Sequence, residues 1–99
     1  MKNIVWYLLA GSRGGPTRAR ILWELKMRPR NAHQLAVDLG FDYKTVQHHL
    51  LLMVKHRLVV AINPDNYGQM YIICPELEIL WLEFGDIWAQ FGSDLGKSK

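Results

Sequence analysis

Residues 31–57, NAHQLAVDLGFDYKTVQHHLLLMVKHR, have the pattern of two short helices separated by a glycine turn. Asn31 and Asp42 are residue types that cap helix N-termini, and each precedes apolar residues at helical spacing. Gly40 ends the first run and can adopt the left-handed conformation with which many helices terminate. The pattern therefore predicts a helix-turn-helix, with one helix over 32–39 and a second over 43–56.

The second predicted helix has two chemically different faces. Val46, Leu50 and Met53 recur at helical spacing, so we expect this face to be buried. The polar residues of the first two turns fall on the remaining surface. They are the candidates for contacts with a partner: Tyr43, Lys44, Thr45, Gln47 and His48.

The flanking segments predict a helix before this unit and a hairpin and a helix after it. Residues 17–27 have helical apolar spacing and end at Arg28-Pro29-Arg30. Two apolar, strand-forming runs, 58–62 and 69–74, are separated by the turn-forming NPDNYG. Helical spacing returns over 76–91. The predicted fold is mainly α with a small β-hairpin, a winged helix-turn-helix with an additional C-terminal helix.

The first fifteen residues combine an apolar run, 4–10, with the break GSRGGP. The run predicts a short helix or an ordered arm. It is shorter than the roughly 20 residues of a membrane span and lacks a cleavage motif, so we predict neither a span nor a signal peptide. A chain of 99 residues suffices for one compact unit. We divide it into an N-terminal segment with a Gly-rich linker (1–15), a winged helix-turn-helix domain (16–75), and a C-terminal helix with a polar tail (76–99).

Charge is distributed unevenly along the chain. Residues 11–57 contain nine Lys or Arg and three acids, whereas residues 58–96 contain six acids and no Lys or Arg. Such asymmetry indicates that the basic half faces a polyanion.

Three segments together resemble archaeal winged-helix transcriptional regulators of the broad ArsR-like group. They are RGGPTRARIL at 13–22, NAHQLAVDLGFDYKTVQHHL at 31–50 and YGQMY at 67–71, so the resemblance covers roughly 13–74. It implies binding of double-stranded DNA, commonly as a homodimer, by a cytoplasmic regulator. The metal-sensing members carry paired cysteines in the helix before the turn, whereas Cys74 is the only cysteine of this chain. The resemblance therefore does not extend to metal sensing.

A helix in the major groove can read base edges with the side chains of its first turns. Gln47 suits adenine, Lys44 suits guanine or a phosphate, and Thr45 suits a phosphate or a thymine methyl group. Phosphate contacts are also predicted for Arg13, Arg18 and Arg20, and for Arg30 together with the backbone amides near Asn31. For Arg18 and Arg20, the alternative is that the side chain is simply solvated. The predicted DNA-binding residues are Arg13, Arg18, Tyr43, Lys44, Thr45, Gln47, His48 and Tyr67.

The C-terminal helix carries more aromatic surface than a small domain needs to cover its hairpin. We therefore predict a homodimer formed by this helix and the N-terminal segment. The alternative is a purely intramolecular helix that covers the core. The predicted dimerisation residues are Trp6, Leu77, Trp81, Phe84, Trp88 and Phe91.

Other classes of site are poorly supported. His49 and His56 lie two helical turns apart, too far to bind one metal ion together, and we expect His49 to be packed or hydrogen-bonded behind the polar face. The chain has no Gly-rich phosphate loop and no nucleophile motif, so we predict no enzyme and no cofactor. The remaining alternative to a DNA-binding regulator is a winged-helix protein-interaction module within a larger assembly.

Overall fold

The computed structural model describes residues 4, 5, 7–63 and 69–81, for Trp81 the backbone alone. A π-helical turn, Tyr7–Gly11, comes first and is followed by three α-helices, a hairpin and a further helix. The elements are α1 (Gly15–Met27), α2 (Ala32–Leu39), α3 (Tyr43–Lys55), β1 (Val59–Ile62), β2 (Met70–Ile73) and α4 (Pro75–Trp81). This order confirms the predicted winged helix-turn-helix. The rest of the predicted helix 76–91 lies outside the described residues.

The start of α1 explains the two glycines of the linker. The helix begins at Gly15, two residues before the predicted start, because Pro16 is tolerated in a first helical turn. Gly14 precedes the helix with a φ of 85°, a conformation that favours glycine. A Cβ atom on Gly15 would lie 2.4 Å from the carbonyl oxygen of Leu9. Glycine at position 15 therefore lets the N-terminal turn pack directly on α1.

The two helices of the helix-turn-helix begin and end as their sequence predicts. Asn31 and Gln34 form a capping box at the start of α2, with hydrogen bonds of 2.8 and 2.9 Å. Gly40 ends α2 with a φ of 71°. Asp42 then caps α3 by accepting hydrogen bonds from the amides of Lys44 and Thr45. These caps fix the turn between α2 and α3, and so fix where the first turns of α3 point.

The hydrophobic core is formed by apolar side chains on the inward faces of the helices and of the hairpin. α4 contributes Leu77, which is fully buried within the single chain. This placement argues against the dimer contact predicted for Leu77, because a side chain enclosed by its own core has no exposed surface for a second subunit. Among the described residues, the fully buried leucines and methionine are Leu9, Leu22, Leu35, Leu50, Met53, Leu58 and Leu77.

A third backbone segment joins the hairpin that the sequence predicts. β1 and β2 pair antiparallel, and Arg30, between α1 and α2, pairs with Tyr71 on β2 through N–H···O bonds of 3.3 and 2.9 Å. The side chain of Arg30 is buried between an ion pair with Glu24 and one with Asp38 at 3.6 Å. Arg30 thus ties the wing to α1 and α2, and its guanidinium does not fit the predicted phosphate contact.

Candidate nucleic-acid interface

Helix α3 separates into the two faces that its sequence predicts. Val46, Leu50 and Met53 are completely buried. Lys44, Thr45 and His48 are exposed, whereas Tyr43 and Gln47 are half-buried. The polar side chains of the first two turns therefore form an accessible surface opposite the core. We call these five residues, 43–45, 47 and 48, the reading face.

The amides at the N-terminus of α3 already have an acceptor. Asp42 Oδ2 lies 3.0 Å from the amide nitrogen of Lys44 and 3.2 Å from that of Thr45. Its negative charge also offsets the positive end of the helix dipole. At α2, the capping box occupies the amides of Asn31 and Gln34 in the same way. The amides of Asn31 and Gln34 are therefore occupied by the cap and are not free for the predicted phosphate contact.

The first residue of the reading face is oriented by a ring that the sequence did not implicate. The rings of His33 on α2 and Tyr43 on α3 are stacked, with centroids 4.2 Å apart and planes 15° from parallel. Tyr43 also packs against the core. The stack depends on the angle between α2 and α3, so no pattern along the sequence indicates it.

Two further arginines, one before α1 and one on it, are exposed or partly exposed. Arg13 is exposed, in the linker before α1. The guanidinium carbon of Arg20 on α1 lies 5.1 Å from the ring centroid of Phe41, in the turn between α2 and α3. This cation–π contact holds a positive charge beside the turn that leads into the reading face.

Arg18 differs from both because it is buried. Only 3% of its surface is exposed, and its guanidinium donates hydrogen bonds to partners within the chain. This placement argues against the phosphate contact predicted for Arg18, and equally against a solvated role. The sequence held a signal for it: Arg18 lies four residues before Leu22 and seven before Leu25, on the apolar face of α1.

His49 is hydrogen-bonded behind the reading face, which confirms its predicted position. Its Nδ1 atom lies 3.2 Å from Nη1 of Arg18, and the residue is buried. A guanidinium can only donate, so Nδ1 accepts and the proton of the neutral ring is on Nε2. Burial lowers the pKa of His49 below its ordinary value, and the charges of Arg18 and His48 lower that pKa further. The imidazole is therefore kept neutral and remains an acceptor for Arg18.

Comparison with known proteins connects this geometry to a class of regulators. Residues 15–60 match the family model described as bacterial regulatory protein, arsR family. The crystal structure of M. tuberculosis Rv0081 is similar, with 26% identity, a TM-score of 0.71 and coverage of 94% of this chain and 90% of that one. The sequence gave no match among curated proteins.

Two regulators with lower identity share the fold. A MarR family transcriptional regulator from Silicibacter pomeroyi has a TM-score of 0.70 at 16% identity, with 95% of this chain and 64% of that one covered. The adhesin competence repressor AdcR from Streptococcus pyogenes has a TM-score of 0.62 at 13% identity, with 98% and 70% covered. The family match and the fold together indicate a DNA-binding transcriptional regulator of the winged-helix type.

Several predicted site residues lie outside what the structure describes. Tyr67 belongs to the loop between β1 and β2, and 64–68 are not among the described residues. The same holds for most of the predicted dimerisation set: Trp6, Phe84, Trp88, Phe91 and the side chain of Trp81.

Within residues 4, 5, 7–63 and 69–81, no group of three or more His, Cys, Asp or Glu side chains is arranged to hold a metal ion. None of the helices described is long and apolar enough to cross a membrane.

Proposed function

We propose that this chain is a sequence-specific transcriptional regulator that binds double-stranded DNA with α3 in the major groove. The observation that carries the proposal is the reading face, which displays exposed polar side chains on the first two turns of a helix whose other side is buried. The major groove admits such a helix and presents a distinct donor and acceptor pattern for each base pair. Gln47 is assigned to an adenine edge, and Lys44 to guanine or a phosphate.

The phosphate contacts in this proposal come from cations around the reading face. Arg13 is exposed in the linker, and Lys44 is exposed in the first turn of α3. Tyr67 remains a predicted contact from the wing. Arg18 is omitted, because its hydrogen bonds are directed into the protein.

Salt dependence tests the proposal directly. We expect selection from a random pool of duplexes to yield a defined motif, and log K for that motif to fall with log salt by about 0.9 per phosphate contacted. Arg13→Ala is expected to reduce this slope by about one unit. Lys55→Ala is the matched control, since Lys55 is also exposed but lies at the C-terminal end of α3, away from the reading face, so its removal should change the slope less.

Tight binding with no selected motif and no salt slope would reject the proposal. Absence of DNA binding altogether would also reject it and would favour the alternative, a protein-interaction module.

We further propose that the regulator is a homodimer on an inverted repeat. Two large apolar side chains are exposed on the two segments predicted to dimerise: Ile79 on α4 is 76% exposed and Tyr7 in the N-terminal turn is 58% exposed. Trp6, Trp81, Phe84, Trp88 and Phe91 remain in the proposed interface, and Leu77 is removed from it. Twofold symmetry would place two recognition helices about 34 Å apart, one turn of DNA.

Sedimentation of an interface variant tests this assembly. We expect the parent chain to sediment as a dimer and Ile79→Asp to shift it toward monomer, because a charge at an apolar interface has to be desolvated. Val37→Asp is the control, since Val37 on α2 is 81% exposed and lies outside the proposed interface. A parent chain that sediments as a monomer and binds a single half-site would contradict the dimer.

A further inference from the structure

One buried side chain connects three separate parts of the chain. Arg18 on α1 donates from Nε to the carbonyl oxygen of Leu8 at 2.9 Å, and from Nη2 to Ser12 Oγ at 2.7 Å and to the carbonyl oxygen of Arg13 at 2.8 Å. Its Nη1 atom lies 3.2 Å from His49 Nδ1 on α3. Arg18 therefore contacts the N-terminal turn, the linker that carries Arg13, and the recognition helix.

The contribution of Arg18 to stability does not by itself explain why a charged residue occupies this buried position on α1. Arg18 lies on the same face of α1 as the buried Leu22 and Leu25, where an apolar side chain would continue the core. Burying a guanidinium carries a large desolvation cost, and replacing buried ionic groups with apolar residues is often neutral or stabilising. What an apolar residue would not supply is a fixed geometry among the three segments.

The contact with α3 lies directly behind the reading face. His48, a member of that face, follows the helix one residue before His49, and the two rings meet edge to face with centroids 5.6 Å apart. Fixing His49 therefore fixes the rotation of the helical turn that displays His48 and Gln47.

The linker lies close to both members of the Arg18–His49 pair. A Cβ atom on Gly14 would lie 2.9 Å from Arg18 Nη1 and 2.9 Å from His49 Cε1. The linker backbone thus packs against both side chains at once. The position of Arg13, the next residue back along the chain, follows from this packing and from the hydrogen bond to its carbonyl oxygen.

We propose that Arg18 and His49 are positioning residues for DNA binding, which couple the phosphate contact of Arg13 to the reading face of α3 through the buried hydrogen bond between them. The inference rests on the proposed function. Neither side chain touches DNA. Their effect is to set the spacing between a backbone contact and the base contacts, so that both are made in one register.

A double-mutant cycle on the full chain tests the coupling. In the parent protein Arg13→Ala is expected to lower the salt slope for the selected duplex by about one unit. In an Arg18→Met background, which keeps the aliphatic stem and removes the hydrogen bonds, we expect Arg13→Ala to lower it by less than half as much. Lys55→Ala is the control, since Lys55 is exposed at the C-terminal end of α3, away from the reading face, and should change the salt slope equally little in both backgrounds.

Variants of His49, the acceptor of this hydrogen bond, test the same coupling. His49→Leu removes the acceptor and is expected to reduce the effect of Arg13→Ala on the salt slope to less than half, as Arg18→Met does. His49→Asn places an oxygen near the position of Nδ1 and is expected to restore that effect. All affinities are measured at a temperature where circular dichroism shows each variant folded, and the His49→Leu background replaces Arg18→Met if the latter does not fold.

A measurement without DNA checks the contact itself. Nitrogen NMR of the parent protein should show a neutral His49 protonated on Nε2, and Arg18→Met should raise the pKa of His49 toward its ordinary value. A proton on Nδ1 would overturn the proposal. If the parent protein binds DNA and Arg13→Ala costs the same in both backgrounds, the coupling alone is wrong. If the parent protein shows no salt-dependent DNA binding, the proposed function fails and the coupling fails with it.

Discussion

Replacing Leu50 with alanine is expected to lower the free energy of unfolding by about 2–5 kcal/mol. Leu50 is completely buried on the inner face of α3, where truncation removes apolar contacts and leaves a cavity that the surrounding helices fill only in part. Urea denaturation followed by circular dichroism measures the loss. Leu50 lies on the recognition helix, so the same substitution should reduce DNA affinity only at temperatures that populate the unfolded chain.

The next residue supplies the matched control. Leu51 has the same side chain and the same helical backbone but is 57% exposed. Leu51→Ala is expected to change the free energy of unfolding by no more than about 0.5 kcal/mol. Comparable losses from the two substitutions would mean that α3 is rotated relative to the arrangement described, and the reading face would then be assigned to the wrong side chains.

The elements of this fold were predictable because their signals are local. Helix caps at Asn31 and Asp42, a glycine after α2 and apolar spacing in α3 each act within a few residues, and all of them agree with the structure. The division of α3 into a buried and an exposed face follows from the same spacing. Its consequence is that the candidate reading face was identified residue by residue from sequence.

The polar contacts between elements were not predictable in the same way. The sequence-based prediction placed Arg18 on the polar side of its helix as a phosphate contact, although its spacing from Leu22 puts it on the apolar face, where the structure buries it. Arg30 joins the wing through a backbone pairing with Tyr71, which depends on where two distant segments meet. The stack of His33 on Tyr43 is of the same kind. Each contact is set by the packing angle between elements, for which periodicity carries no information.

Two of these contacts lie directly beside the reading face. The pair of Arg18 and His49 lies behind the reading face, and the stack of His33 on Tyr43 lies at its first residue. A surface that reads base edges needs its side chains held in one orientation, because a good bidentate contact is worth about 1–3 kcal/mol of discrimination only when its geometry is correct. Buried and stacked partners supply that orientation without adding contacts to DNA.

Gln47→Ala is expected to relax the preference at one base pair of the selected motif by about 1–3 kcal/mol. Gln47 is half-buried in the second turn of α3, so its stem is held by the protein while its amide is available to pair with N6 and N7 of adenine. Competition between the selected duplex and duplexes changed at single positions measures the effect. The preference should fall at one position in each half-site and persist at the others.

Arg13→Ala is the comparison that distinguishes a phosphate contact from a base contact. Its loss should weaken every duplex by a similar factor and lower the salt slope, because phosphate is the same in all sequences. Gln47→Ala should leave the salt slope unchanged, because it removes no charge. If both variants weaken all sequences equally, Gln47 does not read a base, and the specificity must come from other residues of the reading face or from the shape of the DNA.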